Sequence, residues 1–223
     1  MSNYSAGIKT KQKIELTARY LFFTNGFEET TYTKIAEAAN VNVGSIAYHY
    51  NSLNSLADGI YNDILKERSS VIKWKIANTF DKGEFSNSAL SLVHYRINTQ
   101  AYIDYPNYAR FVAGRLFTSP IWGEQAVNST ITSLCTEYGA KISKNDLDLE
   151  KYLYVPFSLF ATTAVNNGVI DYSAKEICDY QLHQRLKSLE ITDENIDFLI
   201  KEIDSIADKI RLNVDCYMHI TIA

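Results

Sequence analysis

The sequence contains little proline, glycine or cysteine: 3, 9 and 3 residues of each among 223. So few turn-forming residues are unusual for a β-sandwich or another loop-rich fold, in which a turn joins every pair of short strands. The cysteines are far apart and odd in number, so they suggest neither a disulfide framework nor the paired spacing of a zinc site. We therefore expect free thiols in a reducing compartment.

Long hydrophobic runs are missing as well. The most apolar stretch, residues 152–165, is too short to span a bilayer and is interrupted by Pro156. The first residues, MSNYSAGIKTKQK, lack the apolar segment of a signal peptide. The sequence therefore predicts a cytoplasmic protein with no membrane partner.

Recognisable catalytic motifs are absent from the sequence. It has no GxSxG, P-loop, HExxH or Rossmann glycine pattern. The 4 histidines are scattered, and none belongs to a Glu-x-x-His pair. We therefore predict no catalytic residue, no metal ligand and no cofactor, and we do not expect an enzyme.

What the sequence does contain is apolar residues with the period of an α-helix along nearly the whole chain. No convincing strand is present, and the last residues, CYMHITIA, are left unassigned. The prediction is an all-α fold. Its helices are expected at 9–24, 31–39, 42–50, 53–80, 86–105, 107–117, 120–139, 146–168, 173–189 and 193–213.

Residues 31–50 contain two short helical segments separated by Asn40-Val41-Asn42 and preceded by a longer helix. Two short helices joined by a tight turn form a helix-turn-helix pattern, whose second helix enters the major groove of DNA. Ile46 and Tyr50 are expected to anchor this second helix to the first helix of the chain. The residues left to face outward are Val43, Gly44, Ser45, Ala47, Tyr48 and His49.

Charge is distributed in a way that is compatible with this interpretation. Residues 1–80 hold 9 Lys/Arg and 7 Asp/Glu, whereas residues 81–223 hold 13 and 19. A mildly basic N-terminal segment followed by an acidic remainder is compatible with nucleic-acid binding by the N-terminal segment. Lysines near the motif are available to neutralise phosphates, namely Lys9, Lys11, Lys13 and Lys34.

The motif resembles the N-terminal domain of the TetR family of bacterial transcriptional regulators. The resemblance runs from residue 18 to 56 and includes Gly-Phe at 26–27, Gly-Ser-Ile at 44–46 and Tyr-His-Tyr at 48–50. It implies a helix-turn-helix domain at 1–52, and a helical ligand-binding and dimerisation domain at 53–223 with helix 53–80 as connector. The residues expected to contact double-stranded DNA are Thr33, Lys34, Val43, Gly44, Ser45, Tyr48 and His49.

Two positions depart from the family's usual pattern. The family often has Tyr where this chain has Ala47 and Lys where it has Leu53, and both usual residues would reach phosphates. Several polar positions also have a simpler interpretation: His49 is equally compatible with packing at the helix end, and Thr33 and Ser45 with ordinary helix starts.

For the larger domain, the resemblance implies a cavity for an unknown small-molecule effector. An ordinary aromatic core is the alternative for most of the candidate wall residues. Arg115 suits an anionic ligand group, or else an ion pair with an acid such as Asp104. The candidate ligand-binding residues are Trp74, Tyr95, Tyr102, Phe111, Arg115, Trp122, Phe157 and Phe160.

The resemblance also implies a homodimer. Helix 146–168 is apolar nearly all round, and helix 193–213 has a stripe of isoleucines and Leu199, so each is a candidate interface. The predicted function is a ligand-responsive repressor that releases a palindromic operator. The alternative is a DNA-binding protein of the same fold that acts without a ligand.

Overall fold

The structure is a computed structural model, and it describes residues 2–116 and 124–223. Within these residues the chain is almost entirely helical, which confirms the predicted all-α class apart from one short hairpin. The helices are α1 (Ser2–Asn25), α2 (Tyr32–Ala39), α3 (Val43–His49), α4 (Leu53–Thr79), α5 (Asn87–Asp104), α6 (Pro106–Leu116), α7 (Glu124–Tyr138), α8 (Lys144–Asn166), α9 (Ala174–Ser188) and α10 (Asp193–Ala207).

The end of the chain differs from the prediction. Helix α10 ends at Ala207, and the residues after it form a β-hairpin of β1 (Leu212–Val214) and β2 (Ile220–Ile222). The Asp215 carboxylate organises the turn by accepting hydrogen bonds from two backbone N–H groups of the turn, each at 2.8 Å. Strands of 3 residues are too short to show a period of two in the sequence, which is why the hairpin was missed.

The chain divides into two compact units. The first consists of Met1–Arg68, Asn107–Pro120 and Val214–Thr221, and the second of Ser69–Pro106, Ile121–Asn213 and Ile222–Ala223. Helix α4 contributes its first half to the first unit and its second half to the second unit.

In the first unit, α1 packs against α2 and α3. Apolar side chains of these three helices pack together in one core, which α2 and α3 need because they are too short to be stable alone. The fully buried side chains of this core include Ile14, Ala18, Phe22, Ile35, Ala39 and Ile46.

In the second unit, α5 lies at the centre and packs against α7, α8, α9 and α10. Hydroxyl side chains cap the starts of α9 and α10, namely those of Ser173 and Thr192. Ser173 forms a full capping box with Glu176. The carboxylate of Glu176 also places a negative charge near the positive N-terminal end of α9.

The isoleucine stripe of the last helix is part of the chain's own core. Each of its side chains is buried within a single chain, because α10 packs on α5 and α9. The prediction that this stripe faces a second subunit is therefore wrong. The buried residues are Ile196, Leu199, Ile203, Ile206 and Ile210.

No helix among residues 2–116 and 124–223 has both the length and the hydrophobicity needed to cross a membrane. The same residues contain no group of three or more His, Cys, Asp or Glu side chains placed to hold a metal ion. The thiol of Cys178 is fully buried, and burial raises its pKa to about 12, so it is an unreactive core group.

A carboxylate from α7 caps the start of α5. Glu137 accepts hydrogen bonds from the backbone N–H groups of Asn87 and Ser88, each at 2.9 Å. Desolvation raises the pKa of Glu137, but the hydrogen bonds from Ser88 and Asn87 outweigh it, so the pKa is lowered from its usual value. The ionised form of Glu137 thus stabilises the second unit.

We expect Glu137→Gln to lower the free energy of unfolding by roughly 0.5–1 kcal/mol at pH 7, because a neutral amide replaces the charged carboxylate that caps α5. The effect is small because the site is exposed to solvent. A group with a lowered pKa stabilises the fold above its unfolded-state pKa and loses that effect as pH falls through the folded-state pKa. The difference between the variant and wild type, measured by urea titration, should therefore vanish in acid. A difference that persists unchanged at pH 3 would contradict this assignment.

Candidate nucleic-acid interface

Three polar residues set the start of α2, its end and the start of α3. Thr31 caps α2 by accepting from the N–H of Lys34, and Asn42 caps α3 by accepting from the N–H of Gly44 at 2.7 Å. Asn40 ends α2 with a left-handed conformation (φ 47°), which asparagine adopts at lower cost than most residues. The break that the sequence shows at Asn40-Val41-Asn42 is therefore a C-cap followed directly by an N-cap.

Helix α3 is held on α1 by one buried side chain and one hydrogen bond. Ile46 is fully buried in the core, and the Tyr50 hydroxyl donates to the Glu15 carboxylate of α1 at 2.6 Å. Burial raises the pKa of Tyr50 and the hydrogen bond to Glu15 raises it further, so this hydroxyl stays protonated and keeps donating. The prediction that Ile46 and Tyr50 anchor α3 to α1 is confirmed.

A second tyrosine joins α2 to the same anchor. The Tyr32 hydroxyl donates to the backbone carbonyl of Tyr50 at 3.1 Å. This contact and the role of Glu15 were not predicted from the sequence, although it places a tyrosine at the end of a short helix and an acidic residue on the neighbouring helix. Together these bonds fix the rotation of α3 about its own axis.

The face of α3 opposite this anchor is open. Tyr48 has 85% of its surface exposed, and Val43 has 42%. The ring of His49, which is half-buried, packs edge-on against the Tyr48 ring with centroids 5.1 Å apart. The candidate contact residues on this side of the unit that are exposed are Thr33, Lys34, Val43, Gly44 and Tyr48, and those partly exposed are Ser45 and His49.

A groove of about 500 Å³ runs between α3 and the start of α1. Small residues keep it open, and a Cβ added at Gly44 would come within 3.2 Å of the Asn42 side chain that caps the helix. Its walls present mainly hydroxyl, amide and imidazole groups, which suit phosphate or base edges. The lining residues are Gly7, Thr10, Asn42, Gly44, Ser45, Tyr48 and His49.

The lysines beside the groove differ in their exposure and in the contacts that their side chains already make. Lys9 and Lys13 are exposed. Lys11 lies 3.8 Å from Glu15 and 5.9 Å from the centre of the Tyr50 ring, so it is held beside the anchor. Lys34 donates to the backbone carbonyl of Glu29 at 2.6 Å, an exposed bond that an incoming phosphate can replace.

Helix α6 caps the end of α1, a feature that the sequence analysis missed. The Arg110 guanidinium donates to the carbonyls of Phe23 and Thr24 at 3.2 and 2.9 Å, and these are carbonyls that the end of a helix leaves unpaired. Gly26 is required there for two reasons. Its φ is +85°, and a Cβ on it would lie 3.2 Å from Arg110.

Arg115, which the sequence offered as a ligand anchor, is buried in the first unit. Its guanidinium donates to Asp58 at 2.5 Å and to Asn54 at 3.0 Å, and it lies over the Phe27 ring at 4.6 Å. The suggested alternative partner, Asp104, is wrong, because Asp104 instead binds Arg211. Arg115 thus connects α6 to the first turns of α4 rather than presenting a free cation.

The other proposed ligand-binding residues are distributed over both units. Phe111 belongs to the first unit, where its ring stacks on Phe22 at 5.4 Å. Tyr95 and Tyr102 are buried on α5 in the second unit. Trp122 lies outside the described residues.

Three of the ligand candidates lie on the surface, which corrects their placement in a cavity wall. Trp74 is 61% exposed, Phe160 65% and Phe157 39%. Side chains this exposed do not enclose a ligand in a single chain. The helical period identified them as apolar but could not show which helix face has a partner.

A family model matches the part of the chain that forms this interface. The model describes bacterial regulatory proteins of the tetR family and matches residues 16–59, which run from α1 into α4. No curated protein matches the sequence significantly.

Solved structures share the fold at low sequence identity. A gamma-butyrolactone receptor described as an ArpA-like protein has a TM-score of 0.57 and 13% identity, over 92% of this chain and 99% of its own. RolR in complex with the ligand resorcinol has a TM-score of 0.60 and 14% identity, over 88% and 95%. The TetR family protein CprB from S. coelicolor has a TM-score of 0.53 and 12% identity, over 89% and 98%. Residues 16–59 are therefore similar to the tetR family of bacterial regulatory proteins, and the solved structures show a shared helical fold.

Proposed function

We propose that the protein is a transcriptional regulator that binds a palindromic DNA operator through α3. The observation that carries this proposal is the combination of a buried anchor and an open face on one short helix: Ile46 and Tyr50 hold α3, while Tyr48 stands 85% exposed. A helix of 7 residues with small and hydroxyl-bearing side chains fits closely into a major groove, where polar tips reach base edges.

Phosphate contacts are expected at the margins of α3. Lys9 and Lys13 are exposed on α1, and Thr33 and Lys34 are exposed at the start of α2. These groups supply affinity that does not depend on sequence, whereas the face of α3 supplies specificity. Ala47, which is exposed, and Leu53 contribute no such phosphate contact.

We expect Tyr48→Ala to weaken binding to a duplex selected from a random-sequence library by about 1–3 kcal/mol, because it removes a base- or phosphate-facing side chain without disturbing the core. Gel-shift titration at fixed salt measures the effect. Trp74→Ala is the matched control: it removes a similarly exposed aromatic from the second unit. Equal affinities for wild type and Tyr48→Ala would remove Tyr48 from the interface.

We further propose that the protein acts as a homodimer through an aromatic face on α8 and α9. This face consists of Phe157, Phe160 and Tyr180, the last 61% exposed, and the rings of Phe157 and Tyr180 stack with centroids 6.2 Å apart. Neighbouring exposed aromatics are uncommon on a monomer and typical of an interface. Two helices from each chain would form a four-helix bundle with twofold symmetry.

We expect Phe160→Asp to give monomers and to abolish binding to a palindromic duplex, because the dimer sets the spacing of the half-sites. Light scattering at micromolar concentration measures the mass. Trp74→Asp, an equally polar change at an exposed site elsewhere in the second unit, should remain dimeric. Leu159→Asp is unsuitable for this test, because Leu159 is 2% exposed and a charge there damages the core. A wild-type monomer would contradict the proposal.

Response to a small-molecule effector is part of the proposed function. Its support is the fold shared with a receptor and with a protein solved with resorcinol, at 13% and 14% identity. The exposed positions of Trp74 and Phe160, and the pairing of Arg115 with Asp58, favour the alternative of a DNA-binding protein that needs no ligand.

Thermal melting separates the two alternatives. A compound that binds only the folded protein stabilises it by RT ln(1 + [L]/Kd), about 2.7 kcal/mol at one hundred times Kd. We expect at least one compound in a panel of small phenols, lactones and acyl compounds to raise the melting temperature and to weaken operator binding. The operator should then weaken binding of that compound by the same factor. A compound that raises the melting temperature without changing operator binding, or a panel with no effect, favours the ligand-independent alternative.

A further inference from the structure

The β1–β2 hairpin lies outside the segment that the family model matches, and its turn contacts the first unit. The turn, residues 215–219, joins two strands that bury Val214 and Ile220. Met218 within the turn is fully buried and has a left-handed backbone (φ 57°). A side chain that is held buried in a strained conformation indicates a defined docking position and not a loose tail.

Three contacts join the turn to α1 and α4. The Arg19 guanidinium of α1 lies within 3.5 Å of the carbonyls of Tyr217 and Met218. The rings of Tyr20 and Tyr217 pack with centroids 5.8 Å apart. These contacts are made on the exposed side of α1, away from the core that holds α3.

The third contact is electrostatic and reaches α4. The Nδ1 atom of His219 lies 3.6 Å from the Glu67 carboxylate, one residue before α4 passes from the first unit to the second. The turn therefore contacts both α4 and α1, the helix that carries the Glu15 anchor of α3.

The base of the hairpin is fastened separately, within the second unit. The Nε and Nη2 atoms of Arg211 donate hydrogen bonds to the two carboxylate oxygens of Asp104, at 3.0 and 2.7 Å. The Asp104 side chain is only 16% exposed. The Tyr105 hydroxyl donates to the Asn213 side chain at 3.1 Å. Both partners lie at the end of α5, the central helix of that unit.

We propose that the β1–β2 hairpin is a regulatory clasp: its turn holds α1 and α4 in position for α3 to bind DNA, and its base transmits changes in α5 to that turn. The proposal rests on the proposed function, since it assigns the hairpin a role in controlling the same DNA-binding helix. Two short strands with a side-chain-bonded turn are stiff enough for this role, because each strand satisfies the other's backbone groups.

The test of the turn uses two variants and one control. Arg19→Gln and Tyr217→Ser each remove one contact with α1, and Cys216→Ser changes an exposed neighbour in the same turn. We expect Arg19→Gln and Tyr217→Ser each to raise the hydrogen-exchange rates of the backbone amides in residues 14–25 by roughly three- to tenfold. Loss of one packed aromatic or polar contact lowers local stability enough to produce a change of this size. The control should match wild type.

The test of transmission uses a variant of the base. Arg211→Gln breaks the fork with Asp104 in the second unit, and Lys209→Gln, an exposed lysine nearby, is its control. We expect Arg211→Gln to raise exchange in residues 14–25 and to weaken binding to the selected duplex by about twofold or more, although Arg211 and its partner Asp104 both lie in the second unit. Exchange by mass spectrometry and gel-shift titration give the two readouts.

Each result decides a separate point. If Arg19→Gln and Tyr217→Ser leave exchange in α1 and DNA affinity at the values of Cys216→Ser, the clasp is overturned. If they change both readouts while Arg211→Gln changes neither, the transmission is overturned and the clasp is local. Failure of the wild type to enrich any duplex from the library instead overturns the proposed function, and exchange in α1 still decides whether the turn clasps that helix.

Discussion

The hydrogen bond between the Tyr50 hydroxyl and Glu15, together with the buried Ile46, is the constraint on which the proposed DNA-binding surface depends. Helix α3 has 7 residues and cannot persist without tertiary support. One buried side chain sets its depth on α1, and one hydrogen bond near its end sets its rotation. Both are needed, because an apolar contact alone is not directional.

The first unit is assembled from segments that are distant in the chain. Arg110 and Arg115 of α6 fasten the end of α1 and the start of α4 by charge-assisted hydrogen bonds. The hairpin turn adds contacts from nearly 200 residues away, at a sequence separation of 198 between Arg19 and Tyr217. The first unit is therefore completed by residues from three separate parts of the chain.

The second unit shows how burial decides the use of apolar residues. The stripe from Ile196 to Ile210 is enclosed by the chain's own helices, whereas Phe157, Phe160 and Tyr180 remain at the surface. Aromatic side chains are the ones most often placed at interfaces, since they present a large rigid area. The proposed dimer therefore uses α8 and α9, and the last helix serves the core.

The sequence by itself determined the helical class and the helix-turn-helix with its inward Ile46, because these follow from helical period and local spacing. Each of these features depends on residues that are close together in the sequence. Only the tertiary structure decided that Arg115 binds Asp58, and that the residues after Ala207 form a hairpin contacting α1. Period tells which side of a helix is apolar, but the partner that covers that side, or leaves it open, comes from contacts between residues far apart in the chain.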